Sequence, residues 1–334
     1  MGASIAYHLA LLGADDVVLC DVAEVASGAT GKAMGGVRQQ FSTEAEVRLA
    51  QASIAFFREL GAPFFLQVGY LFVATTEAGL ARLHERAELQ RGLGVPVEDV
   101  DAAEVEGLRT DDVVGAVICR EDGVASPPAT AREVVRRAAE RGVEVREHTD
   151  ARDVDRDVLV VACGPRSPFL VPLPIRPLVR QLVDVGPVDG LPETLPMVVE
   201  EETTFHFRRR QAFLRLAMRE PTARWSLDEV VDEALVDEVR ARLASRYPSA
   251  AGAPVERAWA GLYDMTPDAH PIIGPVRDDV YVAAGFSGHG FMQSPAVGRA
   301  VAEELLELEP TFDLTPYRLE RFAGDEVFPE ELVL

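Results

Sequence analysis

Lysine is almost missing from this chain: Lys32 is the only one in 334 residues, and acidic side chains outnumber basic ones so far that the formal charge is -22. Binding to nucleic acid needs clustered Lys and Arg that displace counterions from phosphates, so this charge balance excludes nucleic acid as a partner. Cysteine is scarce too. Cys20, Cys119 and Cys163 lie far apart in apolar stretches, without the close spacing of a zinc site or a redox CxxC, which argues against a structural metal or a disulfide framework. No window reaches the roughly 18 to 20 consecutive apolar residues of a membrane-spanning helix, and no charged-then-apolar leader precedes the first helix. The chain therefore reads as soluble and cytoplasmic. Internal repeats, low-complexity tracts and long linkers are also missing.

What is present is ample apolar material, 48% of the residues, enough for two cores in a chain of this length. The acidic residues are spread over helical stretches, which suggests either the solvated surface of a halophile's protein or an acidic cytosolic protein.

Ile5, Leu9 and Leu12 stand at helical spacing with small residues between them, Gly13 stops that helix, and Val17–Cys20 reads as a short buried strand ending in Asp21. Thr43 to Leu60 is an amphipathic helix with Thr43 as cap and Glu46 as its capping-box partner. A strand over 66–75, helices over 77–93 and 129–141 and a strand over 113–120 follow. Val158–Ala162 has the unbroken apolar character of a parallel strand buried on both faces. Residues 175–216 break into short antiparallel pieces, 227–247 is a long acidic helix, and 280–284 is a strand entering a Gly-rich loop and a helix over 294–308. The two domains are thus expected to be interwoven.

The chemistry is carried by glycine. A dinucleotide fingerprint orders strand, G-x-G-x-x-G and helix so that backbone amides and the helix dipole receive a pyrophosphate. Here Gly2 stands where the third glycine belongs, and Asp21 closes the next strand, where an acidic side chain binds ribose hydroxyls. The first strand and first two glycines do not appear, as though the start codon were assigned too late. A glycine-dense loop, Ser27-Gly28-Ala29-Thr30-Gly31-Lys32-Ala33-Met34-Gly35-Gly36-Val37-Arg38, comes directly after the acidic residue and lets backbone approach a ligand closely.

These segments, with Val160–Pro165, Gly261–Pro275 and Gly285–Phe291 in that order, resemble the FAD-dependent D-amino-acid oxidase superfamily, in its sarcosine oxidase β-subunit, glycine oxidase and dimethylglycine dehydrogenase branch. The resemblance implies an α/β fold: an FAD/NAD(P)-binding Rossmann-like domain of glutathione-reductase type (residues 1–64, 125–175 and 256–334) interwoven with an antiparallel-sheet α+β substrate domain (65–124 and 176–255). It implies non-covalent FAD, with Gly2, Asp21, Ser27, Thr30, Gly31, Gly35 and Gly36 along the cofactor and Cys163 and Gly164 near its adenine or phosphate end. Gly285, Gly288, His289, Gly290 and Phe291 correspond to the turn that aims amides at the flavin pyrimidine, where they stabilise negative charge on the reduced ring.

The activity implied is oxidation of the C–N bond of a small secondary amine or amino acid to an imine, with oxygen or an electron-transfer protein as acceptor and room for a partner subunit. Arg38 is the candidate grip on a substrate carboxylate, since Arg binds carboxylates bidentately. Tyr263 offers a hydroxyl, and His289 is considered for acid–base work; Arg180 and His206 rank below them. Asp268 and His270 sit in a Pro-bounded turn with a structural role.

Departures from the family also matter. Gly261 stands where monomeric sarcosine oxidases carry the cysteine that attaches FAD, and Phe41 and Met292 replace basic residues that hold the substrate carboxylate there, which puts sarcosine itself in doubt. The family's lysine over the flavin has no counterpart beyond Lys32, which favours a dehydrogenase. Residues 147–157 are too short for the usual hairpin. A glycine or D-amino-acid oxidase-like activity, and a flavin-fold subunit that has lost FAD, are the other readings. As numbered, the chain is expected to hold FAD poorly.

Overall fold

The computed structural model describes residues 1–324, 329, 330 and 332–334. The chain folds into two compact units that alternate along the sequence: residues 1–33, 126–178 and 262–333 form the first, and 34–125, 179–261 and 334 the second. Residues 34–64, grouped by sequence with the first body, pack in the second. There Gly36–Val37 pairs with Gly123–Ala125, and helix Glu44–Leu60 lies against helix Glu77–Gly92.

In the first unit, helix Gly2–Leu11 packs on helices Pro127–Ala139 and Gly290–Leu305. Strand Val18–Cys20 runs parallel to Glu144–Arg146, and Leu159–Val161 runs parallel to Val280–Ala284, which pairs antiparallel with Ile272–Arg277. The expectation that 158–162 would be buried on both faces does not hold. Among the described residues Leu159–Val161 has a partner on one side only, Leu159 and Val160 are half-buried, and Val158 is exposed. Val18–Cys20, expected to be buried, is half-buried for the same reason. In place of a hairpin, residues 147–157 hold a turn at 147–148 and the short 3-10 helix Ala151–Asp153.

The second unit is built on an eight-stranded sheet in the order Val255–Met265, Arg176–Val185, Phe213–Ala217, His206–Arg210, Met197–Glu200, Tyr70–Ala74, Gly115–Cys119, Val97–Val100. Met197–Glu200 runs parallel to Tyr70–Ala74 and antiparallel to His206–Arg210, so the sheet is mixed rather than purely antiparallel. Successive side chains of a strand point to opposite faces. One face carries Leu71, Val73, Ile118, Val183, Val185, Val198, Phe207, Leu214 and Leu216, which close a core with Leu235, Val236, Val239 and Leu243 of helix Glu233–Arg246. Alternation places Tyr70, Arg180, Asp184, Met197, His206, Arg208 and Arg215 on the opposite face.

The acidic helix expected over 227–247 starts only at Glu233. Asp232 caps it by accepting the Ala234 amide, and the Gln181 side chain holds both the amide and the carbonyl of Asp232. Thr43 caps Glu44–Leu60 through the Glu46 amide, as expected. No helix of the described residues is long and apolar enough to cross a membrane.

The contact of helices Gly2–Leu11 and Gly290–Leu305 is close because its residues are small. Ser4 Oγ donates to the Ser294 carbonyl at 2.7 Å, and a Cβ at Gly298 would lie 2.3 Å from Ser4 Oγ. Gly298→Val should therefore force the helices apart and cost about 2 kcal/mol or more, in the range of overpacked cores. Gly252→Ala, at a position with open space around it, should be neutral. Thermal unfolding of the two variants checks this, and equal midpoints would contradict the packing argument.

Candidate functional site

Two places gather the residues singled out by sequence, one in each unit. In the first unit the organising group is Asp264, which sequence reading passed over. Its side chain is buried, Oδ2 accepts the Gly285 amide at 2.8 Å, and its carbonyl accepts the Ser287 amide at 3.2 Å. Burial pushes this carboxyl above its usual range, while bonds from the amides of Gly285, Phe286 and Ser287 oppose the shift. A Cβ on Gly164 would sit 3.8 Å from the same Oδ2. One carboxylate thus fixes the 285–288 turn beside Gly164.

The turn is tight for reasons within the protein. Gly288 has φ of +95°, in the left-handed region, and a Cβ there would fall 2.3 Å from the Tyr263 ring. Tyr263 thereby acts as a wall for the turn. The next residue, His289, is buried, donates its amide to the Phe286 carbonyl at 2.9 Å and is N-cap of the helix that Gly290 and Phe291 begin. Neither this helix nor Gly2–Leu11 has a side-chain cap bond at its N-terminus, and first-turn amides in that position suit an anionic ligand. Gly2 faces both Leu19 and Ala162, each 3.6 Å from where its Cβ would be. The helix N-terminus therefore lies by the ends of both parallel strands.

Asp21 ends its strand half-buried. Its Oδ1 accepts the Ala23 amide at 3.0 Å, and no hydrogen bond reaches Oδ2 among the described residues. Ser27 is exposed and donates to the Glu24 carbonyl at 2.6 Å, and Thr30 and Gly31 form the turn Ala29–Lys32. A Cβ on Gly31 would lie 2.5 Å from the Ala26 carbonyl oxygen, so backbone crowding alone requires glycine there. Cys163 is exposed.

Gly35, Gly36 and Arg38 belong to the second unit, where the segment 34–41 crosses the polar face of the large sheet. Gly36 fits against Tyr70: a Cβ would be 2.9 Å from its ring and 3.3 Å from Met197 Sδ. Asp122, fully buried, anchors this segment by accepting the Gln39 amide, Gln39 Nε2 and Gln40 Nε2 at 3.0, 3.0 and 3.1 Å. Burial pushes its carboxyl up to about 6 against those bonds. Arg38 is 1% exposed, stacks on Phe41 at 4.0 Å and donates to the Gln40 carbonyl.

Arg180 and His206, ranked low by sequence, join Arg38 here. Arg180 pairs with buried Glu220 at 2.5 Å. His206 Nδ1 lies 2.7 Å from the Thr204 carbonyl, which can only accept, so the proton sits on Nδ1 and Nε2 carries the lone pair. Burial first, then the charges of Arg180 and Arg38, push this imidazole down to about 4 despite that bond. Asp268, fully buried, takes a bidentate bond from Arg321, and His270 packs edge-on to Tyr317, in keeping with structural roles.

Among known proteins, the FAD dependent oxidoreductase family model, DAO, matches residues 1–304. The chain is 25% identical to a 4-methylaminobutanoate oxidase (formaldehyde-forming) of Paenarthrobacter nicotinovorans over 98% of its own length, but spans only 45% of that relative. It is 27% identical to a glycine oxidase of Geobacillus kaustophilus, covering 97% of this chain and 95% of the other. The crystal structure of L-proline dehydrogenase from P. horikoshii superposes with a TM-score of 0.90 at 26% identity, over 98% of this chain and 96% of that one.

The lowered pKa of His206 makes a signed prediction. Its stabilising contribution is complete above the unfolded value of about 6.5 and is lost as pH falls toward 4. Over that window the wild type should lose about 3 kcal/mol relative to His206→Gln. Asp122 acts in the opposite sense, losing stability as pH rises from about 4 to 6, but it is common to both proteins and cancels. Denaturant unfolding of the two proteins from pH 7 to pH 4 checks this; parallel curves would mean that His206 titrates normally.

Proposed function

Since this chain belongs to the DAO family of FAD-dependent oxidoreductases, we propose that it oxidises the C–N bond of a small secondary amine or amino acid to an imine, which water then hydrolyses. The observation that carries this reading is Asp264, whose buried carboxylate holds the Gly285–Gly288 turn at the entrance to helix Gly290–Leu305. That arrangement, with the first turn of Gly2–Leu11 and the carboxylate of Asp21, supplies amide donors for phosphate or flavin oxygens and an acceptor for ribose hydroxyls, a donor set that fits FAD. When bound, the flavin supplies the hydride acceptor. The protein holds and orients the reactants.

In this reading most of the cofactor-binding residues lie in the first unit, and Gly35 and Gly36 lie in the second. Gly2, Asp21, Ser27, Thr30, Gly31, Gly35, Gly36, Cys163, Gly164, Gly285, Gly288, Gly290 and Phe291 bind FAD without a covalent bond, and His289 contributes through its backbone and as helix cap. Arg38 attracts the substrate carboxylate and Tyr263 offers its hydroxyl. The activities named for the three relatives support a substrate with nitrogen next to the oxidised carbon. With Lys32 as the only lysine, an electron-transfer protein is favoured over oxygen as acceptor, and the cytoplasm is the proposed location.

Reconstituted with FAD, the protein should show a flavin band near 450 nm, roughly where bound oxidised flavins absorb, that bleaches on anaerobic addition of one of sarcosine, dimethylglycine, glycine or D-proline. A colourless preparation that stays colourless on reconstitution would favour a non-catalytic subunit instead. Asp264→Ala should lower FAD affinity roughly tenfold or more, since the turn amides lose a buried acceptor. Flavin retained per protein after gel filtration measures it, and full retention would remove Asp264 from the cofactor site.

A further inference from the structure

In the first unit, Val161, Ile272, Val280, Val282 and Ala284 of the three-stranded sheet form an apolar cluster with Val171 and Ile175. The elements that border this cluster are short. Leu170, which ends the 3-10 segment Gly164–Phe169, packs on it, as do Leu319 and Phe322 of the 3-10 segment Leu319–Ala323. Segments of one or two 3-10 turns cover less of a sheet than a helix of several turns does. Leu159, Leu170, Leu173, Val276, Leu319 and Phe322 accordingly stay only partly buried. Phe169, beside Leu170, is 66% exposed, and Val158, beside Leu159, is 46% exposed.

A polar hollow of about 350 Å³, lined by residues 152–157 and Asp279, adjoins this apolar surface. Asp157 directly precedes Val158, and the Leu159 amide donates to the Asp279 carbonyl at 2.9 Å. The charge of the hollow is one-sided. Arg152 Nε is held by both oxygens of Asp150 at 3.0 Å, and Arg156 Nη1 donates to the carbonyls of Ala151 and Val154 at 3.0 and 2.8 Å. Arg277 lies 3.8 Å from Asp279. Asp153, Asp155 and Asp157 are exposed and have no ion pair among the described residues. Exposed carboxylates are ordinary on a chain with a charge of -22. These three stand apart because they border an apolar surface with an exposed aromatic ring, and an apolar patch rimmed by charge is how protein interfaces are built.

We propose that this face of the first unit docks a basic amphipathic segment of a partner protein, with the segment's apolar side chains on Phe169, Leu173 and Phe322 and its Lys or Arg side chains over Asp153, Asp155 and Asp157. Charge complementarity selects this occupant. A second copy of the chain, at -22, would bring carboxylates against carboxylates. Lys and Arg instead lay their methylene stems along apolar surface, here Val154 and Val158, while the charged heads meet the acids. None of these residues is assigned to cofactor or substrate, so the inference stands apart from the amine reading.

A synthetic amphipathic helix of leucine and lysine serves as the probe, and the same helix with glutamate in place of lysine as the control, each labelled and titrated into the FAD-bound protein by fluorescence anisotropy. The lysine peptide should bind saturably and more weakly as salt is added, and the glutamate peptide should not bind. Phe169→Ser, at an exposed position, should weaken the lysine peptide roughly tenfold, the loss of an aromatic anchor. Asp155→Asn combined with Asp157→Asn should weaken it several-fold and flatten its salt dependence. Glu233→Gln combined with Asp237→Asn removes the same charge from exposed positions of the second unit's acidic helix and should leave binding nearly unchanged. Amide hydrogen exchange should slow over residues 153–175 when the lysine peptide is bound. The proposal is overturned if that peptide does not bind, if its protection falls elsewhere, or if the distant double variant weakens it as much as the near one, which marks attraction to net charge alone. A wild-type dimer in sedimentation that Phe169→Ser dissociates would make the occupant a second copy and would equally overturn it.

Discussion

The large sheet works under one constraint: strands show alternate residues to opposite faces, and the residues assigned to one face here are apolar while many of those on the other are charged. Phe207, Leu214 and Leu216 enter a core closed by helix Glu233–Arg246. Their neighbours in sequence, His206, Arg208 and Arg215, are sent to the opposite side, where they are also buried. Burial of so many cations is tolerable only if each is answered. Asp184 and Glu220 answer Arg215 and Arg180, backbone carbonyls answer part of Arg208, and His206 stays neutral. The segment 34–41, held by Asp122, completes that face.

The first unit solves a different problem, that of presenting backbone amides. Helices Gly2–Leu11 and Gly290–Leu305 approach closely because Ser4 meets Gly298, and each begins without a side-chain cap bond. Asp264 pulls the 285–288 turn into place with its carboxylate, and the Tyr263 ring packs where a side chain at 288 would be. These glycines are demanded first by the protein's own packing. Their service to a cofactor follows from the amides that such packing leaves at the helix ends.

Much of this was legible in the sequence. The order of glycine-rich turns and Asp21 pointed to the nucleotide-binding body and to the family, because backbone geometry near a phosphate tolerates few alternatives and leaves its mark in residue type. The capped helix at Thr43 and the strand entering Gly285 were readable from local periodicity and capping chemistry. Elements whose ends depend on distant partners were not. The long acidic helix is shortened because Gln181, fifty-one residues away in sequence, secures Asp232, and Leu159–Val161 is less buried than its composition implies because pairing, not hydropathy, decides what covers a strand.

The sequence by itself determined the class of chemistry, a flavin-binding α/β body interwoven with a second sheet, since that class is written in glycine spacing and apolar runs that act locally. Tertiary structure alone decided which charges matter. Asp264 and Asp122 read as ordinary residues of a strand and a turn, and Arg208 as one arginine among three in a row. Only folding buried them beside their particular neighbours, and burial is what makes a charge costly unless neighbouring groups answer it.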